Sequence, residues 1–369
     1  MREGWDIKVI TVKERYYKYK NAKLLEEVKN AHIIRTRRLP RLIKGINEEG
    51  LYWLPFLLFR LLRELKNEHP DIVFLTGGPF IHWIIAPLVI NELYKIPYVL
   101  DFRDPWRLSP YRRVKTVFSY GFTFLSRVIE PLAVKKAHFA INVTEQATEM
   151  YRETYNELSQ KFITIYNGFD PEDIENVKEP ISFSDFDIIY VGKFGGFRNP
   201  LPFLEAFKKL VKAYSLSPEQ IHFVWVGIPE GDVVKIIDDL RISNYCKLVG
   251  YKPYREALCY IKGAKVCLLI SGNHPFEPTT KFFDYIALDK PILALLGAEG
   301  FLSSVLDNYC LAVKILNPNV EKVFNGLKKL IENFHQRSWI PRSGMDLKKQ
   351  FNRQITARKL SEILSDAIR

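Results

Sequence analysis

Short apolar runs alternate with longer amphipathic stretches along almost the whole chain. In the first half the runs Ile7 to Val12, Ile33 to Thr36, Ile72 to Leu75, Tyr98 to Phe102, Phe139 to Val143 and Phe162 to Ile165 read as strands. Ile188 to Val191, His222 to Val226, Lys247 to Val249, Val266 to Ile270, Ile292 to Leu295 and Leu311 to Val313 repeat the pattern in the second half. Helix-like segments separate most of these runs, so the pattern predicts an α/β protein with parallel sheets covered by helices, in two copies. The copies meet at residues 167–185, a polar, turn-rich stretch interrupted by Pro171 and Pro180, which predicts domains over residues 1–170 and 171–369. The last stretch, Arg353 to Ile368, carries Ile355, Leu360, Ile363 and Leu364 at helical spacing and predicts a closing amphipathic helix.

A length of 369 residues exceeds one ordinary core and suits two, and a content of 47% hydrophobic and 26% charged residues is that of a globular protein. No apolar run reaches the roughly 18 residues of a membrane span. The segments around Leu51 to Phe59 and Pro79 to Ile90 are closed by Arg60 and Glu92. The first residues, MREGWDIKVITV, alternate like a strand and lack the apolar core of a secretory signal, so a cytoplasmic protein is expected. Cys246, Cys259, Cys267 and Cys310 show neither Cys-x-x-Cys spacing nor an accompanying His cluster. Buried reduced thiols are expected, with no structural metal and no disulfide framework.

The net charge of +12 is uneven: 27 Lys and Arg face 19 Asp and Glu in residues 1–170, against 27 and 23 in the rest. A basic half suits nucleic acid, anionic lipid or phosphorylated small molecules, or is merely a solvated surface. Arg35, Arg37, Arg38, Arg41 and Lys44 precede the segment LYWLPFLLFRLLREL, and no nucleic-acid module frames them. Arginines beside Tyr52, Trp53 and Phe56 suit a peripheral contact with an anionic membrane, the alternative being a core helix with basic flanks.

Three constellations carry candidate chemistry. In YVGKFGGFRNP a strand runs into Gly192, Gly195 and Gly196, then into Arg198 and a helix opened by Pro200. Glycines let backbone N–H groups approach an anion, and Lys193 and Arg198 add charge, so the turn is either a diphosphate cradle or a basic turn facing water. In EPTTKFFDYIALDKPILAL, Asp284 lies early in a helix near Thr279, Thr280 and Lys281. Its carboxylate accepts hydrogen bonds either from sugar hydroxyls or from the helix's own N–H groups. TGGPFIHW and LDFRDPW follow buried strands of the first half, so Arg103, Asp104 and His82 are candidates for one cleft, the alternatives being a structural ion pair and a packed histidine.

The order LTGGPF, LDFRDPW, IYNGFD, YVGKFGGFRNP, LVGYKPYREALCYIKGAKVCLLI and PTTKFFDYIALDKPILAL resembles the family 4 glycosyltransferases, in particular those of cell-surface polysaccharide and glycolipid assembly. The resemblance implies a GT-B architecture, two Rossmann-like doubly wound domains facing a central cleft. The second domain would hold a nucleotide sugar donor and the first an acceptor, possibly meaning a lipid-linked one, with a retaining transfer and no obligatory metal or other cofactor. Lys193 and Arg198 match the family's basic pair at the donor diphosphate, and Thr280 and Lys281 match the small residue and lysine of the next motif. Asp284 matches the second carboxylate of the family's paired glutamates, while Glu277 lies seven rather than eight residues before it. Arg103, with Asp104 beside it, stands where many members carry an active-site histidine.

The expectation is therefore a glycosyltransferase using a nucleotide diphosphate sugar. A sugar-nucleotide epimerase or a catalytically weak binding subunit on the same architecture are the alternatives. Against the family pattern the segment Gly4 to Thr11 reads as the second strand, so the first strand and helix of the amino-terminal domain are expected to be missing from the chain as numbered.

Overall fold

The computed structural model describes residues 2–16, 28, 30–40, 49–78, 80–109, 117–195, 198–276, 279–335 and 345–369. They form two compact units, Met1–Val143, Ala147–Ile165 and Ala357–Arg369 in one, Thr144–Gln146 and Tyr166–Thr356 in the other. The division falls close to the polar stretch read from the sequence. It differs from a split into 1–170 and 171–369 in returning the end of the chain, from Ala357, to the first unit.

The first unit runs β1 (Lys8–Val12), β2 (His32–Thr36), α1 (Glu49–Asn67), β3 (Val73–Thr76), β4 (Tyr98–Phe102), α2 (Val117–Lys136), β5 (Phe139–Asn142), α3 (Glu145–Thr154) and β6 (Phe162–Thr164). Its strands pair in parallel as two ladders, β1 with β2 and β3 through β6 in sequence order. One face of the β3–β6 sheet packs Tyr98, Leu100, Phe102 and Ala140 against α1, α2 and the helical turns at Phe80–Ile84 and Ala86–Asn91. The other face, with Val99 and Ile141, is covered by Leu360, Leu364 and Ala367 of the final helix.

The second unit runs α4 (Pro171–Glu175), β7 (Phe186–Val191), α5 (Leu201–Ala213), β8 (Ile221–Val226), α6 (Gly231–Asp239), β9 (Cys246–Gly250), α7 (Tyr254–Gly263), β10 (Val266–Ser271), α8 (Thr280–Ala287), β11 (Ile292–Leu296), α9 (Phe301–Asp307), β12 (Ala312–Leu316), α10 (Val320–His335), α11 (Met345–Gln350) and α12 (Arg353–Ala367). Its parallel strands form one sheet in the order β12-β11-β10-β7-β8-β9. The first strand is central and the chain winds outward on each side of it, which is the doubly wound arrangement. Side chains alternate between two cores: Ile189, Val224, Cys267 and Leu269 face α7, α8 and α9, while Ile188, Tyr190, Trp225 and Leu268 face α5, α6 and α10. In such sheets ligands gather at the carboxyl ends of the strands beside the switch in winding direction, here the ends of β7 and β10.

Each strand expected from the hydrophobic pattern is present, its ends shifted by at most a few residues. No described helix is long and apolar enough to cross a membrane. Cys259 and Cys267 are buried free thiols as expected, whereas Cys310 is exposed and Cys246 only partly buried.

Candidate functional site

The carboxyl ends of β7, β8 and β9 are drawn together by glycines. Gly192 donates its N–H to Val226 O at 2.8 Å, and Gly227 donates to Gly250 O at 3.0 Å. A Cβ on Gly227 would stand 2.1 Å from Gly192 O, so no other residue fits that crossing. Gly192 itself holds φ at +114°, a conformation that side chains disfavour. Buried aromatics fix the turn that follows. Trp225 Nε1 donates to Gly192 O at 2.8 Å, Tyr190 OH donates to Lys193 O at 3.0 Å, and Phe194 stacks on Tyr190 with ring centroids 3.9 Å apart.

Cations converge on this turn. Lys281, on the first turn of α8, places its ammonium 3.7 Å from the centroid of the Tyr190 ring. The same Nζ lies 3.3 Å from where a Cβ on Gly192 would stand, so it occupies room left open by the glycine. Lys193 is largely exposed and pairs with Glu230 at 2.7 Å, and the other Glu230 oxygen lies 3.1 Å from a notional Cβ on Gly195. Arg198 is partly buried, and its backbone N–H donates to Gly195 O at 3.3 Å. Thr280, exposed, opens α8. Thr279, the residue preceding the helix, has a buried hydroxyl with no hydrogen-bond partner. A glycine turn, three cations and a helix amino terminus with an unused hydroxyl form a site suited to a multiply charged anion. Gly196 and Glu277, also expected here, lie outside the described residues.

Asp284 is one turn further along α8 than Lys281. It accepts a hydrogen bond from Tyr254 OH at 2.7 Å rather than capping the helix. Burial raises its pKa to about 6, opposed by the Tyr254 bond and by Arg353, with Asp173 adding to the rise. Tyr254, Glu230 and Gly227 were not singled out from the sequence. Only Gly227, following a buried strand as Gly192 does, carried a local signal for this edge.

In the first unit Arg103 joins a cluster at the ends of β3 and β4. Its Nε lies 2.8 Å from Asp101 Oδ2, which also accepts from Thr76 Oγ1 at 2.6 Å. Asp101 is buried, and burial raises its pKa against the opposing charge of Arg103. The partner set by the strand end is thus Asp101, two residues earlier on the same face, while Asp104 is exposed. His82 is not brought into this cluster: it is buried, with its ring edge-on to Trp53 at 5.4 Å. A second buried carboxylate, Glu130 of α2, accepts from Arg107 N at 2.8 Å, Tyr155 OH at 2.8 Å and Tyr151 OH at 3.4 Å. It ties the loop after β4 to α2 and α3.

The expected membrane-facing segment is largely turned inward. Tyr52 is buried, Trp53 donates to Thr36 Oγ1 at 2.7 Å, Arg35 pairs with Glu14 at 3.1 Å and Arg38 with Glu49 at 3.2 Å. Arg41 and Lys44 lie outside the described residues. Among the described residues no group of three His, Cys, Asp or Glu side chains is placed to hold a metal ion.

Residues 1–173 match the family model described as Glycosyltransferase Family 4. No curated protein is a significant match to the chain. Among solved structures, a glycosyltransferase from Rickettsia africae is similar with a TM-score of 0.69 at 13% identity, covering 95% of this chain and 89% of its own. Sucrose-phosphate synthase from Thermosynechococcus elongatus gives 0.70 at 13% identity, covering 99% and 90%. HepE from Anabaena, solved with UDP and glucose, gives 0.64 at 15% identity, covering 93% and 88%. The fold is the α/β GT-B fold of paired Rossmann-like units, with a helix closing the chain. On residues 1–173 the chain belongs to glycosyltransferase family 4.

Proposed function

We propose that this chain transfers a sugar from a nucleotide diphosphate sugar to an acceptor hydroxyl, the second unit binding the donor and the first the acceptor. The observation that carries the reading is the convergence of Lys281, Lys193 and Arg198 on the glycine turn after β7, beside the amino terminus of α8. As the glycosidic bond breaks, its electron pair leaves with the diphosphate, and the acceptor oxygen bonds to the anomeric carbon and gives up its proton. Negative charge therefore grows on the phosphate next to the cations, which stabilise the transition state more than the bound donor. Thr279 supplies a hydroxyl for a phosphate oxygen, and Asp284 an acceptor for a donor hydroxyl.

The transfer is read as retaining, without an obligatory metal, and its acceptor as part of a surface polysaccharide or glycolipid. The complex of HepE with UDP and glucose supports a uridine diphosphate sugar as the first donor to try. A panel of nucleotide sugars tested for thermal stabilisation and for release of the nucleoside diphosphate is the direct assay. A ligand at a hundred times its dissociation constant adds roughly 2.7 kcal/mol. If no nucleotide sugar stabilises the folded chain, the reading fails.

A further inference from the structure

Helix α2 has an apolar face that nothing among the described residues covers. Its inner side buries Ser126, Ile129, Glu130, Ala133 and Val134. The opposite side leaves Tyr120 67%, Phe124 66%, Val128 50% and Leu125 37% exposed. At 3.6 residues per turn these four side chains fall within an arc of about 140°, with the exposed Arg127 at its margin. Large apolar groups contiguous on one helix face mark an interaction surface, unlike single exposed leucines.

We propose that this face of α2 docks on an anionic lipid surface. The charge around it selects that occupant. From Pro105 to Ile129 the sequence holds Arg107, Arg112, Arg113, Lys115 and Arg127 and no carboxylate. A second copy of the chain, paired symmetrically through the same face, would set these cations against their own copies in a protein of net charge +12. An anionic bilayer instead complements the cations and receives Tyr120, Phe124 and Val128 among its headgroups and upper acyl chains. This surface differs from the segment around Tyr52 and Trp53, whose aromatic rings serve the core. The inference does not depend on the transferase reading.

The full chain is sedimented with vesicles of phosphatidylcholine alone and with an equal mixture of phosphatidylcholine and phosphatidylglycerol. The expected result is binding to the mixed vesicles only, falling severalfold between low and physiological salt. The double variant Phe124→Ser, Val128→Ser should partition at least about tenfold more weakly, with its melting temperature unchanged because both side chains project from the fold. Arg127→Glu, which leaves the apolar face intact, should also weaken binding. Wild-type binding that is absent, equal on neutral vesicles, or unaltered in all these variants overturns the proposal. So does a lipid-free dimer that the double variant dissolves while vesicles bind neither form, which would assign the face to a second copy.

Discussion

Lys193 and Glu230 form an ion pair of 2.7 Å at the mouth of the glycine turn, with the Glu230 carboxylate reaching over Gly195. An incoming diphosphate has to take Lys193 from this partner and tolerate a carboxylate nearby. Replacing Glu230 with Gln removes the competing charge but keeps the side-chain shape. Because the pair is solvent-screened the gain is modest, about two- to fivefold tighter binding of UDP, read by titration calorimetry. Weaker binding in Glu230→Gln would mean that Glu230 positions Lys193 instead of competing for it.

The raised pKa of Asp284 has a consequence for stability. A carboxyl with a pKa of about 6 in the folded protein and near 4 in the unfolded chain binds its proton more tightly when folded. Stability from this group is therefore greatest below about pH 4 and is lost as the pH rises through 4 to 6. Asp284→Asn keeps an acceptor for Tyr254 OH without the charge, so it should melt a few degrees higher than the wild type at pH 8. The difference should vanish near pH 4. Melting curves at both pH values check this, and a pH-independent difference would contradict it. The same variant should lose transferase turnover if the carboxylate receives a donor hydroxyl.

The two sheets differ at their centres, and backbone exchange should report the difference. In the second unit β7 is flanked by β8 and β10. In the first, β3 is laddered to β4 on one side, receiving its bonds through Val73 N to Pro97 O and Gly77 N to Asp101 O. The alternate amides of Phe74 and Thr76 point away from β4. They should exchange at least about tenfold faster than those of Ile189 and Tyr190, measured by hydrogen exchange with NMR or mass spectrometry. Equal protection would show that the outer edge of β3 is paired.

The strands were legible because runs such as Tyr98 to Phe102 and Ile292 to Leu295 are apolar at successive positions, as strands buried on both faces are. Their order in the sheets was not, since pairing depends on crossovers that leave no local trace. Of the candidate site, Gly192, Lys193, Arg198 and Lys281 could be read because glycine and cations at a strand end have few structural uses together. Asp101 lay hidden inside an apolar strand, and Glu130 inside a helix pattern, where a lone carboxylate reads as solvent-facing until its donors are known. Tyr254 reaches Asp284 from thirty residues away, a distance no motif spans. The outward face of α2 escaped notice because its aromatics resemble those of a core helix, whereas the aromatics around Trp53 suggested a surface and turned out to pack inward.

The central claim is that the turn after β7 holds a diphosphate. Calorimetric titration of UDP and of uridine into the wild type and into Arg198→Ala and Lys281→Ala separates phosphate from base. UDP should bind the wild type and lose about 1.5–3 kcal/mol in each variant, the worth of a charge-assisted contact, while uridine binding changes little. UDP affinity unchanged in both variants would contradict the account.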